Sequence, residues 1–115
     1  MVKVSVLYPN DEGKSFDILY YCGKHIPMVW QLLGPSCLNA AVEKGIAGGT
    51  PGSKPAYIAM GHFYFEKTED FVSSFAPHAD AIMGDIANYT DITPLIQISE
   101  VKCELKVFKM PGCYC

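Results

Sequence analysis

Tyr57-Ile58-Ala59-Met60-Gly61-His62-Phe63-Tyr64-Phe65 is the stretch that decides the fold. It is dense in aromatic and apolar side chains, the composition of a strand that packs on both sides, and we read a strand over residues 57–66. Successive side chains on a strand point to opposite faces. Ile58, Met60, His62 and Tyr64 therefore share one face, and Tyr57, Ala59, Gly61, Phe63 and Phe65 share the other. Upstream, residues 48–55 (Gly-Gly-Thr-Pro-Gly-Ser-Lys-Pro) are too rich in glycine and proline for either regular element and read as a loop. Residues 37–47 before it read as a second strand, placed to form a hairpin with the first.

Downstream, Thr68 with Glu69 and Asp70 opens a helix carried by Phe71, Val72 and Phe75, interrupted at Pro77 and extended by a turn over residues 78–83. Residues 84–91 form a polar loop with many hydrogen-bonding groups. Ile96, Ile98 and Val101 mark a last strand, with a continuation toward Phe108. At the other end, Val2, Val4, Val6 and Tyr8 alternate with Lys3, Ser5 and Leu7, so the chain begins in a strand that ends at Pro9-Asn10-Asp11-Glu12-Gly13. Ser15 is the expected cap of the following helix, with Asp17 in its first turn. Phe16, Leu19, Tyr20, Gly23, Ile26 and Trp30 recur at helical spacing until Gly34-Pro35, and Pro27 is expected to kink or break that helix near His25.

The order is strand, helix, strand, strand, helix, strand: an α+β, ferredoxin-like βαββαβ arrangement in which both helices cover one face of an antiparallel sheet. Residues 1–109 form one domain and residues 110–115 a frayed tail. Half of the 115 residues are hydrophobic and 18% are charged, an apolar surplus for so small a surface. Together with the bare sheet face, it leads us to expect a homodimer. The net charge is −3 and all nine basic residues are lysine. Without arginine to fork onto phosphates or guanine edges, nucleic-acid binding is not expected. Nor is a membrane span, since no run approaches about 20 apolar residues. The N-terminus reads as a strand and not as a signal peptide, so a cytoplasmic location is expected. Five cysteines without a Cys-x-x-Cys pair suggest reduced thiols.

Three segments resemble the EthD-like family of the dimeric α+β barrel superfamily: residues 16–28 with Tyr20-Tyr21-Cys22-Gly23-Lys24-His25-Ile26-Pro27, residues 57–65, and residues 75–92 with Asn88-Tyr89-Thr90-Asp91. The resemblance spans residues 2 to about 101. It implies a homodimer whose two sheets close one barrel, and a pocket between each sheet and its own helices. It also implies a leaning toward oxidoreductase chemistry, with cofactor-independent monooxygenases, cyclases, isomerases and haem-degrading enzymes among wider relatives. Gly23 and Ala87 depart from the larger or more rigid residues expected at those places.

Histidine is the usual acid or base near neutral pH, which makes His25, His62 and His78 the candidates for proton transfer. His25 precedes Pro27 and shares a helix face with Tyr21, four residues earlier, so a Tyr–His pair is available to hand on a proton. For each there is a plainer role: a helix-end histidine, a satisfied core histidine, a helix cap and a packing aromatic, respectively. Trp30 and Phe65 are candidate walls for an apolar or aromatic ligand, with Asp85, Asn88 and Tyr89 at the mouth or in Asx turns. No cofactor is expected. A three-histidine metal site or a haem is the minor alternative, since no His-x-His or His-x-x-x-His spacing occurs. Gly-x-Gly-x-x-Gly, Walker and Gly-x-Ser-x-Gly motifs are absent, so nucleotide-dependent and serine-hydrolase chemistries lack support. Two functions remain: a cofactor-independent small-molecule enzyme of oxygenase-like or lyase- and cyclase-like type, and a non-catalytic dimeric ligand-binding protein.

Overall fold

The computed structural model describes residues 1–105. Four strands, β1 (Val2–Pro9), β2 (Asn39–Lys44), β3 (Tyr57–Phe65) and β4 (Leu95–Glu100), form one sheet in the order β2-β3-β1-β4. Every neighbouring pair is antiparallel. The fold is the ferredoxin-like α+β arrangement anticipated from the element order. The quoted strand pairs residue by residue with β1: Val2 opposite Phe65, Val4 opposite Phe63, Ser5 opposite His62 and Val6 opposite Gly61. This register sends Val2, Val4, Val6 and Tyr8 to one face together with Phe65, Phe63, Gly61 and Ala59, and the helices cover that face.

The first helical run spans residues 18–33 in three pieces: α1 (Ile18–Tyr20), a π turn (Tyr21–His25) and α2 (Ile26–Leu33). Asp17, not Ser15, caps it: its carboxylate accepts from the Tyr20 N–H at 3.1 Å, an interaction worth about 1 kcal/mol. Ser15 instead donates its backbone N–H to Asp91 at 3.0 Å. Pro27 does not break the run. The Ile26 N–H reaches back five residues to the Tyr21 carbonyl, and Pro27 follows in the first turn of α2, where a missing N–H is tolerated. Gly34 ends the run at φ +70°, a left-handed conformation that only glycine adopts without strain.

The second helical run comprises α3 (Thr68–Phe75), a 3₁₀ turn (Ala76–His78) and α4 (Ala79–Gly84), followed by a 3₁₀ turn at Ile86–Asn88. Val29, Leu33, Phe63, Phe65 and Ile82 pack with Phe71 and Phe75 into one half of the core. Tyr8, Tyr21, Ala59, Tyr89 and Ile92 form the other half. The last strand stops at Glu100; residues 101–105 are not strand, and the expected continuation to Phe108 and the tail 110–115 lie outside the described residues.

The uncovered face of the sheet has a polar centre. The Ser5 hydroxyl lies 2.9 Å from His62 Nδ1, and His62 Nε2 lies 3.2 Å from a Glu43 carboxylate oxygen. Half-buried Lys3, Leu7, Ile58, Met60 and Tyr64 surround this row. Strand alternation explains the outcome, because every second residue of β1 beginning at Lys3 must face away from the helices.

Candidate functional site

The start of the first helix is stitched to the loop after α4. Phe16 pairs with Thr90 across an isolated β-bridge, the Asp17 N–H donates to the Tyr89 carbonyl at 2.8 Å, and the Thr90 hydroxyl donates to the Ser15 carbonyl at 2.6 Å. This seam brings Asp85 and Tyr89 beside the π turn. A π turn widens the helix and turns its side chains away from ordinary α register, and such turns recur at functional sites. Here the two buried residues of the turn are Tyr21 and His25.

His25 is 4% exposed, and its Nδ1 sits 2.9 Å from Asp85 Oδ2. Asp85 Oδ1 accepts two more bonds, from the Tyr20 hydroxyl at 2.8 Å and the Asn88 amide at 2.9 Å. Partial burial pushes the Asp85 carboxyl up, but the bonds from Asn88, His25 and Tyr20 outweigh it and hold the group below its usual range. For His25, burial lowers the imidazole below its ordinary value, only partly opposed by Asp85. The pair is therefore a neutral imidazole donating its Nδ1 hydrogen to an ionised carboxylate. That tautomer leaves the Nε2 lone pair free. Nε2 has no partner among the described residues, and His25 is one of the residues that line the cavity.

Aromatic rings hold the imidazole in place. Tyr21 stacks on it at 5.5 Å and 15°, and Tyr89 approaches at 4.7 Å. The Tyr8 and Tyr89 hydroxyls are 2.7 Å apart. Gly61 makes room for the Tyr21 hydroxyl, because a Cβ there would overlap it. Burial raises the phenols of Tyr8, Tyr21 and Tyr89.

The cavity runs from this cluster between the sheet and the helices. It is narrow and partly open to solvent. Tyr8, Tyr21 and His25 are its polar groups, while Val4, Val29, Phe63, Phe71, Phe75 and Ile82 are among its apolar walls.

Of the residues singled out from sequence, His25 and Tyr21 line the cavity, Tyr89 packs on them, and Asp85 and Asn88 stand behind His25 instead of at the mouth. His62 lies on the opposite face of the sheet, in the row with Ser5 and Glu43. His78 is half-buried at the start of α4, caps no backbone group and does not line the cavity. Trp30 is 45% exposed on the outer side of α2, and Phe65, at 0%, is sealed against Phe71 in the core. Neither reaches the cavity: helix periodicity turns Trp30 outward, and Phe65, though on the same sheet face as the cavity-lining Phe63, lies at the end of β3 under Phe71. Among the described residues no three His, Cys, Asp or Glu side chains gather as metal ligands. Tyr8, Tyr20 and Gly61 were not singled out as site residues; the Val2-Val4-Val6-Tyr8 alternation puts the Tyr8 phenol on the same face as the three valines.

An EthD domain model matches residues 14–93, which include the π turn, β2, β3 and the Asp85 loop. The chain belongs to the EthD family. This EthD protein is 49% identical to an EthD-like protein from Ralstonia eutropha JMP134 of known structure, covering 90% of this chain and 94% of that one with a TM-score of 0.86. It is 28% identical over 90 residues to an uncharacterized 11.0 kDa protein in the thcB-thcC intergenic region of Rhodococcus erythropolis, covering 77% of this chain and 84% of that protein. An ethyl tert-butyl ether D (EthD) family protein from Bacillus halodurans C-125 shares the fold at 19% identity and a TM-score of 0.62, covering 88% of this chain and 98% of the other. No helix among the described residues is long and apolar enough to cross a membrane.

Proposed function

We propose that this EthD protein is an acid–base enzyme for a small apolar or aromatic substrate bearing oxygen, working without a cofactor. The observation that carries the reading is His25, buried, neutral and oriented by Asp85, with its free Nε2 at the polar end of an otherwise apolar cavity. His25 takes a proton from the substrate, and the neighbouring phenols of Tyr21 and Tyr8 steady the oxygen on which charge develops. The resulting carbanion or enolate continues either by reaction with dioxygen, as in an oxygenase, or by elimination or ring closure, as in a lyase or cyclase.

Incubating the protein in deuterium oxide with a panel of apolar ketones and phenols, and following deuterium uptake and product mass, tests the proposal. Exchange or turnover is expected in the wild type and in His78→Gln, and is expected to fall on the order of 10²-fold or more in His25→Gln. Ligand binding with no exchange on any member of the panel favours the non-catalytic binding protein instead. We further propose that a second copy covers the uncovered sheet face, as the half-buried Leu7, Ile58, Met60 and Tyr64 on it suggest. Light scattering at micromolar concentration is expected to give a dimer, and a monomer overturns that assembly.

A further inference from the structure

The hydrogens available beside His25 in the cavity decide what charge the ligand carries. Two phenols line the cavity there, Tyr8 and Tyr21, and Tyr89 packs behind them. The Tyr8 and Tyr89 hydroxyls bond each other at 2.7 Å, and the Tyr21 hydroxyl is coupled to Tyr8 in the space left by Gly61. Each hydroxyl has one hydrogen to donate. Three hydroxyls joined through Tyr8 consume at most two of those hydrogens, and no other acceptor among the described residues takes the third. Beside them His25 Nε2 offers a lone pair that no donor meets. With Tyr89 as the donor to Tyr8, the spare hydrogen lies on Tyr8 or Tyr21, and both line the cavity together with His25.

Charge is missing from the cavity lining. No Lys, Asp or Glu side chain is among the residues that line the cavity. Asp85 lies behind the imidazole with both oxygens occupied by His25, Tyr20 and Asn88. The Lys24 ammonium sits outside, 5.4 Å above the Tyr20 ring. Farther in, Phe71 and Phe75 stack at 5.2 Å as part of an apolar wall.

We propose, building on the acid–base reading, that the cavity selects an uncharged ligand: an apolar body with one carbonyl or hydroxyl oxygen that accepts the spare phenol hydrogen, with the hydroxyl hydrogen, or the C–H next to the carbonyl, turned to His25 Nε2. Carboxylates and ammonium ions are rejected. A carboxylate entering here sheds its water and finds no cation, whereas a neutral carbonyl exchanges one water hydrogen bond for one phenol hydrogen bond. Burial keeps the partners neutral as well, raising the three phenols and lowering the imidazole.

Four single-ring probes separate the possibilities when titrated into the full chain by calorimetry and ligand-observed NMR: acetophenone, ethylbenzene, benzoate and benzylammonium. Acetophenone is expected to bind about fivefold tighter than ethylbenzene, the effect of one neutral hydrogen bond. Benzoate and benzylammonium are expected to bind at least about 100-fold more weakly than acetophenone. In Tyr21→Phe the preference for acetophenone over ethylbenzene is expected to collapse while ethylbenzene affinity holds. Benzoate binding as tightly as acetophenone, or no binding of any probe by folded protein, overturns the proposal. Acetophenone binding in this order of preference, with no deuterium entering its methyl group, overturns the acid–base reading and upholds the ligand class.

Discussion

His25 Nδ1 donates to Asp85 Oδ2 across 2.9 Å although the residues are 60 positions apart in the chain. The contact is maintained from both sides. On one, the π turn rotates His25 inward; on the other, the bridge between Phe16 and Thr90 anchors the loop carrying Asp85. Asp85 acts through His25, as a positioning residue that fixes the tautomer and raises the basicity of Nε2.

The pH profile of whatever reaction is found follows from this pair. A base must be unprotonated to act, and burial holds the His25 imidazole below its ordinary value of about 6.5. Activity is therefore expected to rise with pH along a limb whose midpoint lies below about 6.5. Asp85→Asn removes the one interaction that raises the imidazole, so the limb moves to still lower pH. The plateau falls on the order of 10²-fold as the tautomer is released. A limb that stays in place in Asp85→Asn contradicts the positioning role.

The same shift acts on stability with a definite sign. Because the unfolded His25 takes up its proton at about pH 6.5 and the folded one only at lower pH, the unfolded state binds more protons between the two values. Stability is full above about pH 6.5, declines as pH falls through that window, and is unaffected by this group once both states are protonated. Thermal unfolding followed across the window is expected to show a decline in Tm that is smaller in His25→Gln. Asp85, held below its usual range, adds a separate loss at more acidic pH, present in both proteins.

How much of this was legible in the sequence differs between strands and helices. Strand alternation set the pairing face of Tyr57–Phe65 and the partner face of Val2–Pro9, because one slip would turn Phe63 and Phe65 into solvent. Pro27 was misleading: local reasoning reads a proline in a helix as a break, yet the chain absorbs it in a wide turn. The Asp85 pairing was invisible for another reason. It depends on hydrogen bonds between residues 15–17 and 89–91, whose spacing carries no periodic signal. His62 and His78 look as promising as His25 in a linear text, and only the third dimension separates them.

Gly61 and Tyr21 are expected to be energetically coupled. A methyl group at Gly61 overlaps the Tyr21 hydroxyl, so Gly61→Ala forces the buried ring to shift, at a cost of about 1–3 kcal/mol. Removing the hydroxyl first relieves the clash. In a double-mutant cycle by chemical denaturation, Gly61→Ala is expected to cost at least about 1 kcal/mol less in the Tyr21→Phe background than in the wild type. Equal costs in the two backgrounds refute the contact as the reason for glycine.

Pro27→Ala decides what sustains the π turn. Alanine restores an N–H that can reach the Gly23 carbonyl, a hydrogen bond worth about 1 kcal/mol and an invitation for the run to close into regular α-helix. Closing it removes one residue's worth of offset and rotates everything before the turn by about 100° relative to α2. That rotation carries Tyr21, 1% exposed, out of the core and away from Tyr8 and Gly61, at a cost of roughly 3 kcal/mol or more. Burial outweighs the recovered bond, and the seam at residues 15–17 opposes the rotation too. The π turn is therefore expected to survive Pro27→Ala, with the Tyr21–His25 ring stacking intact by NMR and turnover within about twofold of wild type. Collapse of that stacking in a protein of equal or greater stability shows instead that the proline, and not the buried tyrosine, maintains the turn.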